Sequence, residues 1–193
     1  MPQRKERADA LRNREAVLAA ADALFARSES PRGVSMDDIA AAAGVGKGTL
    51  FRRFGDRAGL VRALFQARIE PLRQAVETGP EPLGPATAPR ERVLALLDAV
   101  LRLKLDNRHL SLALEEDGTT SPYEAGHYTW WHGTLQESLR RLPGVADSGF
   151  TAHALLAATR ADLVEYLASH ERMPPEEMRD RLAAYAAAVL GPV

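Results

Sequence analysis

The chain has 193 residues, 46% of them hydrophobic and 26% charged, with a formal net charge of −1 at pH 7. It is long enough for one large or two small domains with a substantial core, and the absence of cysteine rules out disulfides and thiolate sites. No apolar run reaches the roughly 18 residues of a membrane span, and the basic opening MPQRKERADALRNRE leads into no signal-like segment, so a soluble cytoplasmic protein is expected.

Helical periodicity runs throughout, with no convincing period-2 strand. The first helix is predicted from about Ala8 to Ser28, with Leu11, Leu18, Ala21, Leu24 and Phe25 inward, and Pro31 and Gly33 end it. Ser35 reads as the N-cap of a short helix, with Asp38 closing a capping box. Ile39 and the alanines at 40–43 follow, and Gly44 ends the helix because a tight turn there needs positive φ. In the next short helix Leu50 and Phe54, four apart, share the apolar face with Val45 behind them, which leaves Gly46, Lys47, Gly48, Thr49, Phe51, Arg52 and Arg53 pointing elsewhere. From Ile39 to Gly55 there is no acid, so nothing repels a polyanion where Lys47, Arg52 and Arg53 attract one. Gly48 costs a helix about 1 kcal/mol relative to alanine, which makes sense if the backbone must come close to something. Two short helices about a glycine turn, followed by a longer one, make a helix-turn-helix.

Asp56 caps that longer helix, which continues past Leu60, Val61, Leu64, Phe65, Ile69 and Leu72 towards Val76, with Pro71 expected to kink it or end its regular part. The domain boundary is placed on this helix as a shared rod, with a DNA-binding domain over 1–56 and a second domain over 57–193. Residues 79–89, GPEPLGPATAP, must be a loop. A helix follows Pro89 with Val93, Leu94, Leu97, Leu101 and Leu105 at helical spacing, and a short one covers 109–116. Asp117 to Ser121 is a turn. Ser121, Pro122 and Glu124 read as N-cap, N1 and N3 of a seventh helix reaching about Leu142. Helices over about 149–170 and 174–190, the eighth and ninth, complete an all-α chain.

The residues Ser35, Ile39-Ala40, Gly44-Val45, Lys47-Gly48-Thr49-Leu50-Phe51 and Phe54 resemble, in register, the signature of the TetR family of bacterial transcriptional regulators, over roughly residues 10 to 65. Phe51 stands where that family usually has Tyr, and Gly46 where it often has Ser. The resemblance implies a three-helix reading head, a long connecting helix and a helical ligand-binding and dimerisation domain. It also implies a homodimer through the last two helices, no cofactor, and a repressor released from a pseudo-palindromic DNA operator by a small molecule. On this reading the DNA-binding residues are Ser35, Met36, Gly46, Lys47, Gly48, Thr49, Phe51, Arg52, Arg53 and Arg57. Lys47 and Arg57 would hold phosphates near helix N-termini, and Thr49 with Arg52 or Arg53 would read bases.

Residues 1–70 carry 13 Lys+Arg against 9 Asp+Glu and residues 71–193 carry 12 against 17, an asymmetry that suits a nucleic-acid-binding head on a different kind of body. Alanines along 154–168 and 183–188 suit close helix packing. Tyr128, Trp131, Leu135, Leu139 and Leu142 form one stripe of the seventh helix, with Trp131 a core residue. Tyr123, His127, Trp130 and Thr134 form another, which reads either as one wall of a small-molecule pocket or as a half-exposed amphipathic face. Leu101, Leu105 and His109 are candidates for the same pocket. The five histidines show no ligand spacing, so no metal is expected. Glu115, Glu116 and Asp117 read as a solvated turn rather than paired acids, and Arg160 with Asp162 as a buried ion pair rather than an anion site. No catalytic constellation emerges, so an enzyme is disfavoured. The alternative to ligand control is a helical DNA-binding regulator governed by a protein partner or constitutive.

Overall fold

The computed structural model describes residues 2–27, 33–116, 121, 123 and 126–192. Among these, ten α-helices occur and no strand: α1 (Pro2–Arg27), α2 (Met36–Ala43), α3 (Lys47–Phe54), α4 (Arg57–Thr78), α5 (Pro89–Asp106), α6 (Arg108–Glu116), α7 (Gly126–Arg140), α8 (Ser148–Ala157), α9 (Ala161–Ser169) and α10 (Pro175–Val189). The all-α class is as the sequence implies. Two compact units divide between Arg68 and Ile69, inside α4. None of the described helices is long and apolar enough to cross a membrane.

The first unit is built on small local devices. Ser35 Oγ accepts the Asp38 N–H at 3.1 Å, and Asp38 Oδ2 accepts the Ser35 N–H at 3.1 Å, so the capping box is complete. Gly44 adopts φ 65° and ψ 29°, its N–H donates to Ala41 O, and the Val45 N–H donates to Ala40 O, the paired closure that satisfies the last carbonyls of α2. Leu50 is the anchor of α3, 1% exposed, in a core with Val17, Ala21 and Phe25 of α1, Ile39 and Ala40 of α2, and Leu60, Val61, Leu64 and Phe65 of α4. The inward stripe of α1 differs at Leu11, which is 58% exposed. The stripe repeats every four residues at 17, 21 and 25, and Leu11, six residues before Val17, lies about 120° round the helix from it.

In the second unit α5 touches α6, α7, α9 and α10. Its buried face is Val93, Leu96, Leu97, Val100 and Leu101, packed with Trp131, Leu135 and Leu139 of α7 and Leu182 and Ala186 of α10. α4 passes Pro71 and runs on to Thr78. Proline removes a single N–H donor, and burial of Ile69 and Val76 on either side holds the helix through it. Arg92, 5% exposed, donates from Nη2 to Val76 O and from Nε to Leu83 O, both at 3.0 Å, and so caps the C-terminal end of α4 and pins the 79–88 loop. Arg90 does the same for α10, donating to Ala187 O and Leu190 O.

The stretch 149–170 is two helices rather than one. The Thr159 N–H and Oγ1 both donate to Leu156 O, and Arg160 takes an extended conformation, φ −61° and ψ 142°. The freed N–H of Ala161 then donates to the Glu115 carboxylate, at 3.1 and 3.2 Å. A carboxylate from α6 thus caps α9, where the helix dipole favours negative charge.

Candidate nucleic-acid interface

With Leu50 pointing inward, α3 turns Lys47, Gly48, Thr49, Phe51, Arg52 and Arg53 outward, all of them exposed, beside exposed Ser35 and Gly46. This is the face left over by the apolar pattern. A Cβ built on Gly48 meets no described atom within 4 Å, and one on Gly46 meets only Thr49 Oγ1 at 4.0 Å. Neither glycine is required by packing inside the unit, so the bare backbone is open to something outside it.

Two residues assigned to the face from sequence sit otherwise. Met36 is 8% exposed, and its side chain belongs to the core. Arg57 is half-buried: its Nε donates to Val34 O at 3.3 Å and its guanidinium lies 5.5 Å from the Phe25 ring centroid, so it ties α4 to α1 and to the segment before α2. The pattern could not show this, because the partners are distant in sequence. Lys47 is exposed and paired. Its Nζ lies 2.7 Å from Asp37 Oδ1 and 2.8 Å from Oδ2, and 5.9 Å from the Phe51 ring centroid.

In the second unit, the pocket candidates are spread over several surroundings. Trp130 on α7 donates from Nε1 to Glu77 Oε1 at 3.1 Å, with the Arg73 guanidinium 4.8 Å from its ring. Thr134 Oγ1 donates to Trp130 O at 2.9 Å. Tyr123 is exposed and meets Tyr128 edge-on at 5.1 Å, and Tyr128 Oη lies 2.6 Å from His153 Nδ1. Leu101 is 2% exposed in the core. Leu105 opens onto a cleft of about 590 Å³ shared with Arg102, Arg108, Arg172 and Met173. His109 is exposed.

His127 lies in a polar cluster that the sequence did not reveal. Lys104 Nζ is 2.8 Å from Glu115 Oε1, with the side chains 17% and 13% exposed, and Arg160 Nη2 is 3.4 Å from Glu115 Oε2. Burial first, and then the Lys104 charge, push the His127 imidazole down to about 4. Glu115 is therefore an enclosed acid, not part of a solvated turn. Its surroundings come from α5, α7 and α9, which is why local sequence misled. Glu116, Asp117, Pro122 and Glu124 lie wholly or in their side chains outside the described residues. Arg160 does pair with Asp162, through Nε at 3.0 Å and Nη2 at 2.9 Å, but the Asp162 side chain is 61% exposed, so the pair sits at the surface. A signal for Arg92 and Lys104 was present: both continue the four-residue repeat of Leu96 and Val100 at either end, marking charges on a buried face.

A capped helix, an αL glycine turn and a second helix that buries one leucine and displays basic and small residues define a helix-turn-helix DNA-binding protein. Residues 17–64 match the family model for bacterial regulatory proteins of the tetR family. An HTH-type transcriptional regulator of Staphylococcus aureus (strain MRSA252) is 24% identical over 184 residues, 93% of this chain and 95% of that one. Among solved structures, a transcriptional regulator from Rhodococcus sp. Rha1 superposes with a TM-score of 0.68 at 20% identity, covering 92% of this chain and 95% of that one. NalD of Pseudomonas aeruginosa, the secondary repressor of the MexAB-OprM multidrug efflux pump, gives 0.60 at 18% identity over 94% and 96%. Residues 17–64 are thus a DNA-binding domain of the tetR-family type, and the whole chain shares the fold of the regulators it superposes on.

Proposed function

We propose that the chain is a repressor that binds a pseudo-palindromic operator as a homodimer and leaves it when a small molecule enters its second domain. Residues 1–56 are the reading domain and 57–193 the effector and dimer domain. The observation that carries the DNA half is the exposed, acid-free face of α3 on its Leu50 anchor. In each copy α3 enters a major groove. Lys47 and the N-terminal end of α3, with Ser35 and Gly46 close by, face phosphates. Thr49, Arg52 and Arg53 reach base edges, Phe51 packs on sugar or a thymine methyl, and Gly48 lets the backbone approach. Arg57 and Met36 act from behind, by fixing the helices that carry these residues.

Dimerisation through α8, α9 and α10 is supported by the large apolar side chains these helices leave exposed: Phe150, Leu163, Tyr166, Tyr185 and Val189. NalD, a protein of the same fold, is a repressor, and this supports the same role here. Effector binding at α7 is supported by its aromatic residues and by His127, a neutral imidazole beside the Lys104–Glu115 pair.

The test is selection of binding sites from random duplex DNA, followed by titration of the selected site with wild type and with Arg53→Ala. A palindromic consensus, and a loss of about 1–3 kcal/mol per bidentate base contact removed, is the expected result. Absence of any preferred sequence overturns the reading. One observation favours control without a small molecule: the Trp130 ring and N–H are both engaged by Arg73 and Glu77 within the chain. Under that second reading, screening ligands against the protein–operator complex releases no DNA.

A further inference from the structure

The acid-free stretch of the reading head hides an acid that reaches it from the neighbouring helix. Asp37 is in the first turn of α2, and both its oxygens lie within hydrogen-bond reach of Lys47 Nζ, at 2.7 and 2.8 Å. The Phe51 ring centroid lies 5.9 Å from the same ammonium. The adjacent Asp38 is spent differently: it accepts from Ser35 N–H and Oγ, and those bonds hold its carboxyl below the usual range. Lys47 opens α3, the positive end of the helix dipole, where a cation is disfavoured unless an anion offsets it. Asp37 supplies that anion. On α3 the displayed charge is therefore that of Arg52 and Arg53, while that of Lys47 is neutralised at the point where a phosphate would dock.

We infer that Asp37 sets the electrostatic affinity of the reading head: by holding the Lys47 ammonium it withholds one cation per half-site from the phosphate backbone and so weakens the sequence-independent part of DNA binding. The inference rests on the proposal that α3 reads DNA. Phosphate contacts add affinity for every sequence alike, whereas base contacts discriminate. A pair exposed to 61% on both sides is weak. It can hold Lys47 back by no more than about fivefold per half-site, which tunes affinity without abolishing binding.

Binding of selected operator and of unrelated duplex should be measured over a salt series for wild type, Asp37→Asn, Lys47→Met and the double variant, with α-helical circular dichroism as the check on folding. Asp37→Asn should tighten binding to unrelated duplex by up to about fivefold per half-site and steepen its salt dependence by about 0.9 per half-site. Operator affinity should rise by a similar factor, because the regained contact is to phosphate and carries no sequence information. In the Lys47→Met background the same change should lose most of its effect, which separates release of Lys47 from simple removal of a negative charge. If Asp37→Asn leaves the salt slope unaltered, or acts equally with and without Lys47, the inference is overturned. If Arg52→Ala and Arg53→Ala leave binding unchanged as well, it is the reading of α3 itself that fails.

Discussion

The indole N–H of Trp130 on α7 donates to the Glu77 carboxylate on α4 at 3.1 Å, and Arg73, one turn before Glu77, covers the ring at 4.8 Å. Its neighbour Trp131 is 4% exposed in the core. The two tryptophans therefore have separable roles. Trp131→Ala should cost about 3–5 kcal/mol, the usual range for emptying a buried aromatic site. Trp130→Phe loses one hydrogen bond at a half-exposed position, about 0.5–1.5 kcal/mol, and should remove the fluorescence component that responds to Glu77→Gln. Urea unfolding and emission spectra of the variants measure both.

Glu115 caps the N-terminus of α9 and neutralises Lys104, whose ammonium is pushed down by burial and raised back by Glu115. Glu115→Ala leaves a buried cation and an uncapped helix at once. A loss of roughly 3–5 kcal/mol is expected, as for breaking one side of a buried pair. The double change with Lys104→Met should cost less than Glu115→Ala alone, a coupling that a double-mutant cycle of denaturation midpoints reads directly.

His127 makes stability depend on pH. Its folded value of about 4 lies below the ordinary histidine value of 6.5, so the unfolded chain binds a proton that the folded chain refuses between those limits. Stability contributed by neutral His127 is thus complete above about 6.5 and is lost as pH falls towards 4, by up to about 3 kcal/mol. His127→Gln should flatten the melting-temperature profile in that window and leave it unchanged above pH 7.

Gly48→Ala should separate folding from DNA binding. The added methyl meets nothing among the described residues within 4 Å, and alanine is the better helix former by about 1 kcal/mol. The variant should melt no lower than wild type and should bind selected operator more weakly, because the methyl stands between backbone and DNA. Equal or tighter operator binding would remove the close-approach role.

Phe150, Leu163, Tyr166 and Tyr185 on α8, α9 and α10 test the proposed dimer. Light scattering should give twice the 21.0 kDa chain mass. Tyr166→Glu with Tyr185→Glu should shift the mass to one chain and sharply weaken operator binding, since two linked heads bind through effective concentration. A monomer in the wild type at micromolar concentration with full operator affinity would rule this interface out.

Local chemistry made the reading head legible. Ser35 and Asp38 cap α2 within one turn, Gly44 takes the positive φ that its turn demands, and Leu50 selects the inward face of α3, all by interactions spanning a few residues. The helical class and the buried role of Trp131 follow from periodicity in the same way. What tertiary structure decided is where charges find partners across sequence distance. Asp37 reaches Lys47 ten residues on, Arg57 turns back to Val34, Glu115 caps a helix that starts at Ala161, and Trp130 leaves the expected pocket stripe for Glu77. The break between α8 and α9 belongs with these. Residues 149–170 carry no proline after 149 and read as one helix, but a carboxylate supplied by α6 can satisfy the Ala161 N–H, so the chain is able to stop at Thr159 and start again. Periodicity records which face is apolar; it holds no information about which distant carboxylate, carbonyl or ring a long polar side chain will meet.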